Sequence, residues 1–448
     1  MADEPQAQVR FITQLDERFR VTEAPIQLPT RLRRSGLSEV INHLLGTPED
    51  KPRPFDFLLN NELLRGSLAQ GMERYGLTGE VVVTLEYVDC IPPPQPEKSC
   101  AHKDWVSALT AHPSSRLLLS ACYDHTAYVW GAMGQPMAAL IGHTGPVKGV
   151  TWLSGSDEGG SLRAATASKD MTVRTWRVAP PAGGVGEAST SCEAVLVGHT
   201  SSIEAIVTNP AGTRLCSGAW DGTMLLWSAS DAAAAATDAA AAAGEACEDA
   251  SAPPSKRAKG SKEGAVEAAA TPTAVATPEL TSSETFSGHH SCVGALCWPT
   301  AALLYSGSHD GTVREWQLDV GSPSATLAGQ AAVLALDVNL TSGLIATGHT
   351  DHQLRVWDSR LQQGAMQLAI PHKSWVNDAR WCPTHTNLLA TACYDGVVRL
   401  WDVRSTTPLH ELTTHAGKAL CLAWDAGERV ASGGTDSQLR LAALSLPG

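Results

Sequence analysis

The stretch Gly288–Trp316, GHHSCVGALCWPTAALLYSGSHDGTVREW, contains the three features that decide the fold. It opens with Gly-His, it carries an Asp-Gly pair at Asp310-Gly311, and it closes with Trp316, six residues after that Asp. The same Asp and Trp recur elsewhere, at Asp124/Trp130, Asp170/Trp176, Asp221/Trp227, Asp351/Trp357 and Asp395/Trp401. A further copy keeps Asp436 but has Ala442 in the Trp position. The chain therefore contains seven copies of one unit.

The spacing of these copies predicts the architecture. Successive Asp residues stand 46, 51, 89, 41, 44 and 41 positions apart. WD40 repeats have a period of about 40–45 residues, so the longest step is one period plus an insertion. We predict a mainly β chain, with a seven-bladed WD40 β-propeller after an N-terminal domain. No phosphate-binding loop, metal-ligand cluster or nucleophile with a dedicated base is visible, so we expect a binding protein and not an enzyme.

The repeated polar residues are predicted to be structural. In each blade a His, the turn Asp, a strand Ser or Thr and the Trp are expected to form one buried hydrogen-bonded set. Nearly identical copies at blade spacing cannot all be active sites, so we assign them no catalysis. The residues given this role are Asp124, Asp170, Asp221, Asp310, Asp351, Asp395, Asp436, His143, His199 and His289.

Aromatic residues mark one face of the propeller as a candidate binding surface. The residue before each repeat Asp should lie on the face of the Gly-His loops, near the central channel, and three of these residues are Tyr123, Trp220 and Tyr394. Trp105 and Trp375 stand just before the first strands of their blades, at the same rim. Trp and Tyr are the residue types most enriched in binding hot spots. We therefore predict that this face binds a protein partner.

The end of the chain indicates how the ring closes. After Asp436 the chain offers one strand, residues 438–444, and stops at Gly448. We expect residues just before Trp105 to supply the missing strand, with Pro92, Pro93 and Pro94 limiting its length. The expected divisions are an N-terminal domain with its linker at 1–98, blades 1–3 at 99–228, an insertion at 229–285 between the third and fourth blades, and blades 4–7 at 286–448.

The insertion explains the long step between repeats. Its Ala runs and its Ser, Thr, Pro and Glu residues offer little to bury, which predicts disorder. A short basic cluster within it is a candidate nuclear import signal. The cluster consists of Lys256, Arg257, Lys259 and Lys262.

Composition limits the remaining function classes. The chain has 448 residues and a net charge of −13, and this acidic balance favours protein docking over direct RNA contact. The eleven Cys show no zinc-type spacing, and we expect them to be reduced. No secretory signal and no apolar run of about 20 residues is present. We expect an intracellular protein that does not act at a membrane.

The first hundred residues contain no Trp and predict a separate domain. The predicted order is strand, strand, helix, strand, strand, strand, which is that of a ubiquitin-like β-grasp fold. The helix should close at Gly46. The predicted elements are strands at 9–13, 19–28, 55–59, 63–65 and 81–88 and a helix at 36–46.

Several strings of this domain resemble a known family. GLSEVINHLLG at 36–46, PFDFLL at 54–59, ELLR at 62–65 and LEYV at 85–88 look like the Notchless-like N-terminal domain. Followed by seven WD repeats with an insertion, the whole chain resembles the WD-repeat subunits of the Pescadillo–Bop–WD-repeat complex.

This resemblance implies a function in assembly of the large ribosomal subunit and in pre-rRNA processing, in the nucleus, nucleolus and nucleoplasm. It implies that the propeller binds Bop, in a complex with Pescadillo on the pre-60S particle. It also implies that the ubiquitin-like domain engages the AAA ATPase Midasin, with Glu80 completing the coordination of a Mg²⁺ that the ATPase holds. No cofactor of the chain's own is expected.

Two alternatives remain at this point. One is a Notchless-type assembly factor, which shares the N-terminal domain but has eight blades. The other is a WD40 substrate receptor of a cullin ubiquitin ligase, for which Asp358-Ser359-Arg360 and Asp402-Val403-Arg404 supply the short Asp-x-Arg pattern. Asp and Arg are also common structural residues at these positions.

Overall fold

The computed structural model describes residues 5–48, 52–78, 81–154, 160–179, 188–235, 277–360, 366–413, 415–425 and 428–445. The basic cluster at 256–262 and Glu80 lie outside these ranges. The described residues form a small N-terminal sheet domain and a ring of seven further sheets.

The N-terminal domain has the predicted β-grasp order. The elements are β1 Gln6–Ile12, a 3-10 turn Glu17–Phe19, β2 Ile26–Pro29, α1 Arg34–Leu45, β3 Phe55–Leu59, β4 Glu62–Leu63, α2 Leu68–Arg74 and β5 Val83–Asp89. The sheet runs β2-β1-β5-β3-β4, with β1 and β5 parallel. Leu37 and Ile41 pack helix α1 on a core that includes the rings of Phe55 and Tyr87.

Two details of this domain differ from the prediction. The second strand is only β2, because the 3-10 turn and irregular chain occupy most of 19–28. Helix α2 was missed: at seven residues it is too short to show a period, but a capping box between Ser67 and Gln70 fixes its start. Gly46 ends α1 as predicted, with a φ of 67°.

The propeller begins with a strand that belongs to its last blade. Strand β6, Gln95–Ala101, pairs with the final strand of the chain, which confirms that residues before Trp105 close the ring. It starts immediately after the Pro run. The first blade consists of β7 Val106–Ala111, β8 Leu118–Cys122, β9 Thr126–Trp130 and β10 Pro136–Ile141, and the second of β11 Val147–Leu153, β12 Leu162–Ser168, β13 Thr172–Ala179 and β14 Ser189–Val197. The third blade consists of β15 Ile203–Thr208, β16 Arg214–Ala219, β17 Met224–Ser228 and β19 Glu284–Phe286. Strand β18, Glu279–Leu280, precedes β19 in the sequence.

The remaining four blades follow without interruption. The first strands of the seven blades contact one another in sequence, and the last of them contacts β7, so the ring is closed. The strands are β20 Val293–Cys297, β21 Leu303–Ser308, β22 Thr312–Gln317 and β23 Ser322–Ala328; β24 Val333–Asn339, β25 Leu344–His349, β26 Gln353–Asp358 and β27 Met366–Pro371; β28 Val376–Trp381, β29 Leu388–Cys393, β30 Val397–Asp402 and β31 His410–Thr413; β32 Ala419–Asp425, β33 Arg429–Gly434 and β34 Gln438–Ala443.

The position of the insertion was predicted wrongly. It interrupts the third blade itself, because β19 follows the insertion and pairs with β17 as that blade's outer strand. Nor is all of 229–285 irregular: residues 229–235 are helical, and β18 pairs in parallel with the edge of β14. An open β17 edge would leave its backbone groups unpaired, and β19 satisfies them.

The N-terminal domain lies against the sixth blade. The Arg65 guanidinium donates to the Pro408 carbonyl over 3.4 Å, and His410 Nε2 lies 2.9 Å from the Ile91 carbonyl. Arg404, beside Asp402, faces Asp56 and Glu86 of the domain. Burial opposes the charge of Arg404, but Asp402 and these two carboxylates outweigh it and raise its pKa. The Asp-x-Arg pattern of this blade is thus part of an internal contact.

Candidate functional site

The polar sets predicted in every blade are complete in three. His143, His199 and His289 each bridge the repeat Asp and a strand hydroxyl, and that hydroxyl receives the N–H of the repeat Trp. The seventh blade has His415, Asp436 and Ser432 but no Trp. The residue after the repeat Asp has a positive φ in all seven blades, for example 83° at Gly311 and 58° at Ser437.

Blades 1, 5 and 6 are built differently from the prediction. Their repeat Asp pairs with the side chain four residues on: Asp124 with Tyr128, Asp351 with Arg355 and Asp395 with Arg399. The hydroxyl still receives the Trp N–H and contacts a His. In the fifth blade, which lacks a Gly-His start, that His is His349 at the end of β25.

We expect Ser217→Ala to lower the free energy of unfolding by about 1–3 kcal/mol, because it leaves two buried nitrogens without a partner. The Ser217 hydroxyl lies 2.8 Å from both Trp227 Nε1 and His199 Nε2. Urea denaturation measures this. The exposed Ser322→Ala on strand β23 is the matched control and should change stability by less than about 0.5 kcal/mol. Equal effects would contradict the structural role.

Three His residues in the polar sets lack an Asp partner among the described residues, and we therefore expect the folded protein to lose stability in acid. Burial lowers the pKa of His102, His349 and His372 to about 4, from an ordinary value of 6.5. Between pH 6.5 and 4 the unfolded chain binds protons that the folded chain does not, so stability falls as the pH falls through this window. His372→Gln should flatten this dependence in urea titrations at pH 7 and pH 4.5. The exposed His290→Gln should not, and equal slopes would refute the assignment.

The candidate binding face has aromatic side chains held in fixed pairs. We call the group Trp105, Tyr123, Lys148, Lys169, Glu204, Trp220, His309, Trp375, Tyr394 and Lys418 the channel rim. The rings of Trp105 and Tyr123 are 5.3 Å apart, those of Trp375 and Tyr394 5.2 Å, and those of Trp220 and His309 5.3 Å. Backbone hydrogen bonds of 3.0 Å join the members of the first two pairs.

The three Trp residues of the rim are exposed although each belongs to a ring pair. Trp220 is 50%, Trp105 44% and Trp375 40% exposed. Tyr123 and Tyr394 are half-buried beneath them. Large rings that are both fixed and accessible lose little side-chain entropy on binding.

Charged side chains that were not predicted from the sequence connect the aromatic residues of the rim through hydrogen bonds and an ion pair. Lys148 Nζ lies 3.1 Å from the Tyr123 hydroxyl and 3.1 Å from Glu204, and Glu204 accepts the Trp220 indole N–H over 2.9 Å. Lys418 Nζ lies over the Tyr394 ring at 4.4 Å. Burial works against the Lys148 charge, but Glu204 and Tyr123 overcome it and raise its pKa.

The central channel continues below the rim. Its walls are the first strands of the blades, and Lys148, Glu204 and His309 are among the residues that line it. Lys148 and Glu204 each occupy the second position of a first strand, on β11 and β15. A charged residue within an otherwise apolar inner strand is the signal that could have identified them.

In the N-terminal domain the structure describes the residues on both sides of Glu80 but not Glu80 itself. Leu77 packs on the domain core, the Val81 N–H donates to the Thr78 carbonyl over 3.2 Å, and β5 begins two residues later at Val83. Of the other acidic candidates, Glu62 pairs with Arg74 at 3.0 Å, and Glu73 is exposed on α2.

Neither a metal-binding site nor a membrane-spanning helix is found among the described residues. Those ranges contain no group of three or more His, Cys, Asp or Glu side chains placed to hold a metal ion. They also contain no helix long and apolar enough to span a membrane. All ten described Cys residues are free thiols.

Comparisons with known proteins match both domains of the chain. A family model for the NLE (NUC135) domain matches residues 7–72. The model for the WD domain, G-beta repeat, matches 95–131, 134–177, 190–228, 280–317, 321–358 and 366–402. The chain is 34% identical to a ribosome biogenesis protein WDR12 homologue of Chlamydomonas reinhardtii, over 98% of each chain. It belongs to the WDR12 family.

Other members of the WDR12 family match over a similar length. The homologue of Nematostella vectensis is 32% identical, over 98% of this chain and 100% of the relative. The homologue of Arabidopsis thaliana is 33% identical, over 97% and 95%. The similarity therefore covers the N-terminal domain, the propeller and the region of the insertion together.

Proposed function

We propose that this protein is a non-enzymatic assembly factor of the large ribosomal subunit, required for maturation of the 60S particle and for pre-rRNA processing. The observation that supports this most is the exposed, preorganised aromatic rim of the propeller, in a chain that also carries a β-grasp domain. Its full-length relatives are named ribosome biogenesis proteins. We expect it in the nucleus, nucleolus and nucleoplasm.

The channel rim is proposed to hold the Bop subunit, and through it Pescadillo. Three exposed Trp side chains, fixed by ring pairs and by the Lys148–Glu204 ion pair, fit the description of a binding hot spot. The acidic chain favours a protein partner over pre-rRNA.

The N-terminal domain is proposed to dock on the ATPase Midasin. Glu80 would supply one oxygen to a Mg²⁺ that the ATPase holds, and the chain would need no cofactor of its own. Mg²⁺ takes oxygen ligands at about 2.1 Å in octahedral geometry, so one carboxylate from a partner can complete its shell.

The position of strand β5 suits a role in transmitting force. Glu80 precedes Val83, the first residue of β5, by three positions in the sequence. Strand β5 is the central strand of the sheet and is hydrogen-bonded to β1 on one side and to β3 on the other. A pull at Glu80 would act on a strand held from both sides. Beyond β5 the chain passes through residues 90–94 into β6, the strand that closes the propeller. This short covalent path would link the ATPase to the whole ring and release the factor from the pre-ribosome.

Two rival functions fit less well. A Notchless-type factor would have eight blades, and the described residues form seven. A ligase receptor would need free Asp-x-Arg groups, but Arg404 lies against the N-terminal domain, and Arg360 is paired with Asp358 at 2.9 Å.

Affinity purification of the tagged chain tests the proposed function. We expect Bop, Pescadillo and large-subunit precursors to co-purify. Recovery of a cullin adaptor without pre-ribosomal proteins would contradict the proposal.

A further inference from the structure

The seventh blade lacks a side chain that all six others share. In the fourth blade, for example, Trp316 fills the space against the third blade, among Met224, Leu226 and Phe286. Ala442 holds the same position in β34. The strand keeps its shape there, because the pairing shifts register between Leu441 and Ala442 as it does before Trp316. A methyl group therefore stands where the fold presents an indole.

A cavity lies at this position between the sixth and seventh blades. Its volume is about 350 Å³, within the range of small-ligand sites. Exposed residues of β6, Pro96 to Ser99, form one side, so the cavity opens to solvent. Its inner walls are mainly apolar and come from both blades: Val398, Leu412, Val430, Ser432, Arg440, Leu441 and Ala442.

One polar group in the cavity lacks the partner that its counterparts have. In six blades a buried hydroxyl accepts an indole N–H at 2.8–2.9 Å. The equivalent hydroxyl of Ser432 contacts His415 Nε2 at 2.9 Å, but among the described residues no indole reaches it. The cavity thus offers both the space and the hydrogen-bond acceptor for an indole.

The cations around the cavity are held by contacts within the chain. Lys98 Nζ donates to the Met133 carbonyl over 2.7 Å, Arg429 lies 3.4 Å from Glu97, and Arg440 lies 3.4 Å from Asp436, although the buried Arg440 Nε has no hydrogen-bond partner of its own among the described residues. Because carboxylates offset Arg429 and Arg440, the cavity does not favour an anionic ligand. The site suits a neutral, planar group with one N–H donor.

We propose that this cavity is a binding site for an indole, supplied as the Trp side chain of a partner polypeptide. The same chain fills six equivalent spaces with an indole, so the seventh has the shape and polarity for one. This site is separate from the channel rim and does not depend on the proposed function.

Thermal unfolding of the full chain with neutral probes tests the proposal. Millimolar indole and N-acetyltryptophanamide should raise the unfolding midpoint of the wild type. Indole should bind about three- to tenfold more tightly than indene, which lacks the N–H. In Ser432→Ala this ratio should fall to about one, whatever the variant's own stability.

Ala442→Trp is the matched variant. It should fill the cavity, raise the midpoint by about 1–4 °C and abolish the response to both probes. If it does not fold, Ala442→Met fills part of the same space with a flexible side chain and should weaken both responses. A wild type that ignores indole would overturn the proposal. Binding of indole without N-acetyltryptophanamide would overturn the assignment to a polypeptide.

Discussion

Simultaneous replacement of Trp220, Tyr123 and Tyr394 by alanine is expected to weaken binding of the Bop subunit by about a thousandfold or more. Single hot-spot residues contribute about 2 kcal/mol or more, and these three lie within one connected rim. Trp220 is tied to Tyr123 through Glu204 and Lys148, so the substitutions also free the two charges that held the rings. Titration calorimetry with purified Bop measures the loss.

A control is needed because removing any three apolar side chains lowers the apolar surface. Val320, Leu340 and Met366 are 67%, 61% and 49% exposed; the first two lie in turns and Met366 begins β27, all outside the rim. Alanine at these three positions should leave Bop binding unchanged within about twofold. A folded rim variant that binds as well as this control would show that Bop uses another surface.

The second large effect on partner binding is expected from substitution of Glu80. Alanine there removes a carboxylate that we propose as a Mg²⁺ ligand, and loss of one partner from a desolvated charge pair costs about 2–5 kcal/mol. Binding to Midasin should therefore fall about thirtyfold or more. Glu80→Gln should lose nearly as much, because the amide has a similar shape but no charge.

Glu73→Ala is the matched control for this substitution. Glu73 is an exposed carboxylate at the end of α2, a few residues before the same loop. Its removal changes the net charge by the same amount but should leave Midasin binding intact. Equal losses in the two variants would indicate general electrostatic attraction in place of a metal bond.

Much of the fold could be predicted because its signals are local and repeated. The Asp-to-Trp period predicted the number of blades, and the prediction that residues before Trp105 close the ring is confirmed by β6. The close of α1 at Gly46 followed from one residue type at one position. Each of these is a signal that a few neighbouring residues carry.

The features that were predicted wrongly depend on contacts that no short stretch of sequence reveals. Strand β19 is only three residues long, and its assignment to the third blade depends on β17, which lies across the insertion. Short strands carry no measurable period, so only pairing in space identifies them. The seven repeat sets were expected to be alike because the Asp is constant. In three blades Asp124, Asp351 and Asp395 pair instead with the Tyr or Arg four residues on. The residue at that position does not predict this, because Asp170 and Asp310 pair with a His although an Arg follows each of them at the same distance.

The residues of the candidate site were chosen by residue type, and the structure shows which of them contact one another. Trp105, Tyr123, Trp220, Trp375 and Tyr394 were chosen for their positions in the repeat, and the structure places Trp105 with Tyr123 and Trp375 with Tyr394. The link between Lys148 and Glu204 could not be predicted from the sequence, because the two residues come from neighbouring blades and meet only when those blades pack together.

Binding between the full wild-type chain and the Mg²⁺-holding part of Midasin, measured with and without the metal, distinguishes a carboxylate–Mg²⁺ bond from any other contact. We expect tight binding in Mg²⁺, loss of binding when a chelator removes the metal, and recovery when Mg²⁺ is restored. Binding that is equally tight with and without the metal would contradict docking through a carboxylate–Mg²⁺ bond.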